Sequence, residues 1–152
     1  MEFALRRDGM RMYVFIAAGG ALGALLRHAL TAPELQNIWA PIFAGTLTVN
    51  LAGCFALAFF LTVSLEVLHI SPQLRLGIAT GVLGSFTTFS GICRETAGLL
   101  SQGLYGSAAA YILLTVVCGF GATYLGVVFA RAWVRRKTGA ANCTDLPENG
   151  EE

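Results

Sequence analysis

The chain has 152 residues, of which 55% are hydrophobic and only 12% are charged, and its mean hydropathy is +0.66. This composition excludes an ordinary soluble domain, which carries about twice that share of charged residues. The formal net charge is only +1, and no basic patch indicates a nucleic-acid partner.

Four apolar stretches are long enough to cross a bilayer, which takes about 20 apolar residues in a helix. They cover residues 13–32, 40–65, 76–100 and 105–130. The predicted fold class is therefore an all-α membrane protein, with a single transmembrane domain over residues 13–130. It is flanked by an N-terminal tail over residues 1–12 and by a polar, largely disordered tail over residues 131–152. Membrane lipid is then one partner of the chain.

The first stretch contains two glycines, Gly19 and Gly23, at the spacing that lets a second helix approach closely. Arginines precede this stretch, as they do in a secretory signal peptide. We reject a signal peptide because the run contains these glycines and Arg27. Near the end of the stretch, the guanidinium of Arg27 either extends to the membrane interface or finds partners inside the protein.

The second stretch places Thr46 and Asn50 one helical turn apart, so the two side chains share a face. Lipid cannot satisfy the donors and the acceptor of a buried asparagine, which must therefore face protein or water. Two interpretations remain open, a hydrogen bond between helices and a polar path for a substrate.

The third stretch contains the segment GVLGSFTTFSGICRE over residues 81–95, which is rich in glycine, serine and threonine. A regular helix would be weak there, so we predict that this helix is broken near its middle. Non-helical backbone is tolerated at membrane depth only where protein or a water-filled cavity satisfies it, so a break predicts an ion or substrate site. The alternative is a close-packed interface of small residues. Arg94 and Glu95 add charges for which a functional role is the default expectation.

The fourth stretch repeats the arrangement of the second. Tyr111 and Thr115 lie one turn apart, and Gly119 and Thr123 continue the same stripe. A track of hydroxyl groups without a carboxylate can bind an ion through hydrogen bonds while offering no proton relay.

Three separated motifs resemble the fluoride channel family known as Fluc or CrcB. They are GGALGALLR at 19–27, GTLTVN at 45–50 and GSFTTFS at 84–90, with Gly53 following the second and Glu95 the third. Their order and spacing agree, over about residues 13–130. The resemblance implies a fluoride-specific channel that lowers cytoplasmic fluoride by passive export. It also implies a bacterial plasma (inner) membrane and an antiparallel dimer of four-helix subunits with two narrow pores, each built from both subunits.

The same resemblance assigns roles to individual residues of the pore. Asn50 would be the pore asparagine, Thr46 would share its polar face, and Phe89 would be a pore aromatic at the helix break. Tyr111 and Thr115 would belong to a polar track. Fluoride holds its water tightly, so a pore must replace that water with hydrogen-bond donors or with the positive edge of an aromatic ring.

The remaining assignments concern charge and sodium. Glu95 would be the family's glutamate on the third helix, and Arg27 is a further functional candidate. Backbone carbonyls of Gly84 and Thr87 from each subunit would hold a structural sodium ion at the dimer centre. Ile92 occupies the position where the family usually has a second pore phenylalanine, so the resemblance does not assign a second pore aromatic to this chain.

Competing functions require features that the sequence lacks. A small multidrug-resistance-type transporter is also a four-helix membrane dimer, but it needs an acidic residue deep in its first helix, where this chain has none. An intramembrane enzyme would need a nucleophile with a base, or clustered metal ligands, and the four cysteines and two histidines show no such spacing. A passive assembly factor remains a further alternative.

The distribution of charge predicts the orientation of the subunit. One side of the membrane would receive most of the basic residues, namely Arg6, Arg7, Arg11, Arg75, Arg131, Arg135, Arg136 and Lys137. The positive-inside rule then predicts that both termini are cytoplasmic. An antiparallel dimer nevertheless needs an inverted partner. Either the chain tolerates the bias and forms a homodimer, which we favour, or a homologous second subunit completes a heterodimer.

Overall fold

A computed structural model describes residues 2–31, 44–68 and 70–144, and every regular element in this part of the chain is helical. Four spans are long and apolar enough to cross a membrane. They are Gly9–Leu30, Gly45–Glu66, Pro72–Ser101 and Tyr105–Lys137. The predicted all-α fold with four spans is therefore confirmed, and the chain is a multi-pass membrane protein.

The first, second and fourth spans each belong to a single helix. Helix α1 covers Glu2–Leu30, helix α2 covers Ala44–Glu66, and helix α6 covers Tyr105–Thr144. The third span is divided into α3 (Pro72–Leu76), a π-helical segment (Gly77–Leu83), α4 (Gly84–Phe86) and α5 (Phe89–Ser101).

Two helices extend beyond the predicted apolar stretches. Helix α1 begins before residue 13, and helix α6 continues to Thr144 through most of the segment that was expected to be a disordered tail. The residues after Ala130 include arginine, alanine and lysine, which favour helix, whereas hydropathy marks only the apolar part of a helix. Residues 40–43 of the second stretch and residues 145–152 of the tail lie outside the described residues.

The glycines of α1 let the π-helical segment approach its backbone. A Cβ atom on Gly23 would collide with the Val82 carbonyl, and one on Gly81 would lie 2.8 Å from the Ile16 carbonyl oxygen. A side chain at either position would push two backbones apart. A Cβ atom on Gly19 would likewise meet backbone of the third span, so the close approach predicted for this glycine pair is confirmed.

The third span is interrupted at two residues. Thr87 (φ −75°, ψ 155°) and Thr88 (φ −143°, ψ 118°) have extended backbone, so one helix ends at Phe86 and the next begins at Phe89. The Thr88 hydroxyl accepts a hydrogen bond from the Gly91 N–H at 3.2 Å and so caps α5. The break predicted near the middle of the third span lies here.

Helix α2 packs against α6 through aromatic rings. The ring centroids of Phe55 and Phe129 are 6.0 Å apart, and those of Phe59 and Trp133 are 6.5 Å apart. The pairing advances in the same direction along both helices, so the second and fourth spans run parallel. These contacts involve the C-terminal halves of both helices, which leaves their N-terminal halves to form the polar region described next.

Candidate functional site

Asn50 joins α2 to the break in the third span. Its Nδ2 donates to the Thr88 carbonyl at 2.9 Å, and its Oδ1 accepts from the Thr88 N–H at 2.7 Å. One side chain therefore satisfies both backbone polar groups of an extended residue, as membrane depth requires. The hydrogen bond between spans that the sequence left open for Asn50 is confirmed. One Nδ2 hydrogen remains for another acceptor.

The same bonds change the pairing of the carbonyls before the break. In a continuous helix the Thr88 N–H would donate to the Gly84 carbonyl, and the Gly91 N–H would donate to the Thr87 carbonyl. Here the first N–H donates to Asn50 and the second to the Thr88 hydroxyl. In place of its helical donor, the Gly84 carbonyl accepts a long bond from Thr87 Oγ1 at 3.3 Å. Both carbonyls that the resemblance assigns to sodium have thus lost their helical donors.

Glu95 links three spans through its carboxylate. Thr46 of α2 donates its hydroxyl to Oε1, and Tyr111 of α6 donates its hydroxyl to Oε2 at 2.5 Å. Both donors are buried, with only 5% of Thr46 and 4% of Tyr111 exposed. Hydrogen bonds from hydroxyl groups stabilise a carboxylate that lipid would not tolerate. The expectation of a polar track without a carboxylate was therefore wrong, because a contact between helices brings Glu95 to Tyr111.

Thr115 uses its hydroxyl within its own helix. Its Oγ1 donates to the Tyr111 carbonyl at 2.8 Å, and Thr123 makes the corresponding bond to the Gly119 carbonyl at 3.0 Å. This pattern is common for threonine in membrane helices and leaves the hydroxyl oxygen as an acceptor. To donate to an anion, Thr115 would have to rotate its hydroxyl away from the helix.

An open groove of about 300 Å³ lies beside the break. It brings together five of the predicted site residues, namely Asn50, Thr87, Phe89, Ile92 and Thr115. The Phe89 ring is 79% exposed, so it stands at the surface of the subunit. Gly119 lines the same groove and adds no side chain to it. The groove therefore offers a small ligand the aromatic edge of Phe89, the amide of Asn50 and the side chains of three threonines, Thr87, Thr88 and Thr115.

A separate polar cavity of about 520 Å³ lies on the other side of the break. Arg27 and Arg94 line it together with hydroxyl groups, among them those of Thr46 and Ser90. No carboxylate belongs to its described lining, so the two arginines are the formally charged groups that face the cavity, while the Glu95 carboxylate lies behind it against Thr46. Arg27 thus borders a cavity formed by several helices, which favours the second interpretation left open by the sequence, a role inside the protein.

Thr88 lines both cavities, and the sequence analysis did not single it out. The available signal was a threonine three residues before Gly91 within the segment of the predicted break, because threonine is a preferred helix cap. Three predicted residues, Gly84, Glu95 and Tyr111, line neither cavity. Tyr111 is packed in a buried cluster with Leu99 and Ala108.

Residues 14–127 match the model of the family described as CrcB-like protein, Camphor Resistance (CrcB). The chain is 42% identical over 120 residues to the fluoride-specific ion channel FluC of Anaeromyxobacter sp. (strain K), an alignment that covers 76% of this chain and 95% of that protein. It is 37% identical over 142 residues to the fluoride-specific ion channel FluC 1 of Moorella thermoacetica, an alignment that covers 93% of this chain and 99% of that protein. With the fluoride-specific ion channel FluC of Thermus thermophilus it shares 41% identity over 122 residues, which covers 80% of this chain and 90% of that protein.

The matched region contains all four membrane spans in whole or in large part, together with the break and both cavities. The relatives are bacterial proteins, and their names describe ion channels and not enzymes. This chain is a multi-pass protein of the bacterial inner membrane and belongs to the CrcB family, which is a family of ion channels.

Proposed function

We propose that the chain is a fluoride-specific ion channel that lowers cytoplasmic fluoride by passive export. The names of the relatives suggest the ion. One observation about this chain carries the proposal: a positively charged cavity and a groove with an exposed aromatic ring meet at Thr88. Such an arrangement can first attract a small anion and then strip its water.

The polar cavity is the entrance of the proposed path. Arg27 and Arg94 raise the local concentration of anions, because a cavity lined by one sign of charge focuses the electric field. The hydroxyls of Thr88 and Ser90 are hydrogen-bonded to each other at 3.0 Å, which leaves one of their two hydrogens to donate to an arriving ion. The entrance is formed by residues of one subunit.

The groove is the dehydrating part of the path. An ion that passes Thr88 meets the remaining amide hydrogen of Asn50 and then the edge of the Phe89 ring. Fluoride, the smallest halide, gains most from donors and ring edges at close range. Ile92 offers no such edge, so the Phe89 ring is the aromatic contact that this groove provides.

Glu95 competes with fluoride for hydrogens in this proposal. Thr46 and Tyr111 each have a single hydroxyl hydrogen, and the Glu95 carboxylate accepts both. For these residues to donate to fluoride, the Glu95 carboxylate must release the two hydroxyl hydrogens or share them with the ion. Their assigned roles in the path therefore imply that Glu95 moves or that fluoride passes beside it.

The pores are proposed to form in an antiparallel dimer, with itself or with a homologous inverted subunit. The groove is open at the subunit surface, and Phe89 stands there 79% exposed. A narrow pore needs an opposite wall, which a second subunit would supply. Phe120, next to the groove residue Gly119, is 76% exposed and adds apolar surface on the same helix for such a contact.

A structural sodium ion fits the backbone at the break. The carbonyls of Gly84 and Thr87 lack their helical donors, and unwound carbonyls coordinate Na⁺ in other membrane proteins. When bound, the ion would supply positive charge that holds carbonyls of both subunits together. Replacing sodium by a larger cation should slowly silence fluoride efflux, measured with a fluoride electrode on liposomes. Unchanged efflux after exhaustive sodium removal, or sodium flux itself, contradicts this role.

The proposed function is tested by electrical recording of the purified chain in bilayers, first with fluoride and then with chloride. We expect fluoride current and negligible chloride current. A chain that conducts both ions equally, or that carries cationic drugs in exchange for protons, contradicts the proposal. The latter activity is disfavoured because the span Gly9–Leu30 contains no acidic residue.

A further inference from the structure

A further cavity lies at the turn between α2 and α3, where the second span ends and the third begins. Its volume is about 560 Å³, and its polar lining consists of Ser64, Glu66, Ser71 and Arg75. Apolar residues of the turn complete it, among them Leu65, which is 67% exposed. Because both adjoining spans end here, the cavity opens at the level of the lipid headgroups.

Arg75 has an unused donor in this cavity. One terminal nitrogen of its guanidinium donates to the Ser64 carbonyl at 3.1 Å, in the last turn of α2. Its Nε–H is buried and has no acceptor among the described residues. Because Nε is closed to solvent, a ligand from outside would instead meet the N–H groups of the second terminal nitrogen, which make no hydrogen bond in the described part of the chain. Ser71 accepts from the Leu74 N–H at 3.4 Å, which leaves its own hydroxyl hydrogen free to donate.

The charge around the cavity suits an anion. Glu66 lies in the lining, but its Oε1 is 3.7 Å from Nε of Arg131, so α6 offsets that carboxylate. The charge of Arg75 is left without a counterion in the described part of the chain. Further along α6, Arg135 and Arg136 make no ion pair among the described residues, which adds positive potential at this end.

A second feature indicates where the membrane surface lies. The ring of Trp133 is partly exposed, and the Lys137 ammonium lies 5.3 Å from its centroid. Tryptophan prefers the interface between hydrocarbon and headgroups, and lysine prefers the headgroups beyond it. Trp133 lies less than one turn beyond Arg131, so the cavity that Glu66 and Arg131 border is close to this level.

We propose that this cavity binds the phosphate group of an anionic membrane phospholipid. A terminal N–H of Arg75 that is not used by Ser64 and the hydroxyl of Ser71 would donate to phosphate oxygens, and exposed Leu65 would contact the acyl chains. Free phosphate shares this chemistry, but the apolar rim and the position at the headgroup level favour the lipid. The site does not depend on fluoride transport, so it stands or fails separately from the proposed function.

Native mass spectrometry of the purified full-length chain, mixed with equal amounts of phosphatidylglycerol and phosphatidylcholine, tests the site. The wild type should retain phosphatidylglycerol preferentially. Arg75→Gln should lower this retention roughly tenfold, because a charge-assisted bond is lost. Glu66→Gln should raise retention, because it removes the one carboxylate from the lining and leaves the Arg75 bond to Ser64 intact. Arg11→Gln is the matched control, since Arg11 is an exposed arginine at the same membrane face.

Three outcomes would overturn the proposal. The first is equal retention of phosphatidylglycerol by the wild type and Arg75→Gln. The second is an equal loss in Arg11→Gln, which would indicate a diffuse charge effect. The third is thermal stabilisation by millimolar inorganic phosphate with no preference between the lipids, which would assign the cavity to free phosphate. If Arg75→Gln fails to fold, Glu66→Gln becomes the test. Increased retention of phosphatidylglycerol by that variant then supports the proposal, and unchanged retention contradicts it.

Discussion

The two cavities that meet at Thr88 differ in what they can do alone. The polar cavity carries Arg27 and Arg94 and is built from several helices of one subunit, so it can attract an anion without a partner. The groove carries Asn50 and the exposed Phe89 ring, but one wall is open. Under the proposed function, capture of the ion would therefore occur within a subunit, whereas dehydration, and hence selectivity, would depend on the groove and on what closes it.

The largest effect on stability and fluoride efflux is expected from Asn50→Ala, at the point where the two cavities meet. This change leaves the N–H and the carbonyl of Thr88 unpaired at membrane depth, so the free energy of unfolding should fall by about 2–4 kcal/mol. Fluoride efflux from liposomes should fall by more than about tenfold, because the break would no longer be held between the cavities. Efflux and thermal stability both equal to those of the wild type would contradict a role for Asn50 in either region. Gel filtration should still detect a dimer.

Phe89→Ile should affect the groove alone. The ring is exposed in the subunit, so its loss should hardly change the stability of the monomeric fold, yet fluoride efflux should be abolished or sharply reduced. Phe120→Ile is the matched control for dimer contact, since that ring is exposed to a similar degree and offers surface to a partner but does not line the groove. Equal losses in both variants would indicate that Phe89 serves dimer contact and not conduction.

Arg94→Gln should weaken the polar cavity without changing selectivity. Efflux at low ionic strength should fall about two- to fivefold, because the focusing charge is halved. Raising the salt concentration should remove most of the difference, since salt screens exposed charges. The ratio of fluoride to chloride permeability should stay at the wild-type value. A change in that ratio would instead assign part of the selectivity to the polar cavity.

The smallest effect is expected from Ile92→Phe, which adds a second ring to the groove. The groove has room at this position, because Gly119 contributes no side chain to the lining. Efflux should change by less than about threefold, with the fluoride preference maintained or increased. Measuring the rates of fluoride efflux and chloride efflux from the same liposomes checks this prediction. Complete loss of efflux would mean that Ile92 is needed to keep the groove open.

Much of this architecture could be predicted from residue order. Four apolar stretches predicted the spans, and the run of glycine and threonine predicted the break, because composition determines local helix strength. The approach at Gly19 and Gly23 also followed from spacing. The extension of α6 to Thr144 did not, since hydropathy says nothing about a helix that leaves the membrane.

The contacts between helices could not be predicted from the sequence. Periodicity places Tyr111 on a stripe of its own helix, but only tertiary packing brings Glu95 to it. For the same reason Asn50 could be predicted to need partners, while its choice of both Thr88 backbone groups could not. The roles of these residues in conduction remain predictions that the variants above are designed to test.

The pairing of Asn50 with Thr88 also has a consequence for biogenesis. The third span is the least apolar of the four, and the polar backbone at its break is satisfied by a side chain of the second span. If it entered the bilayer alone, it would present unpaired peptide groups to hydrocarbon. The second and third spans should therefore leave the translocon as one hairpin, and a chain from which the second span, with Asn50, has been deleted should be unable to anchor the third span stably.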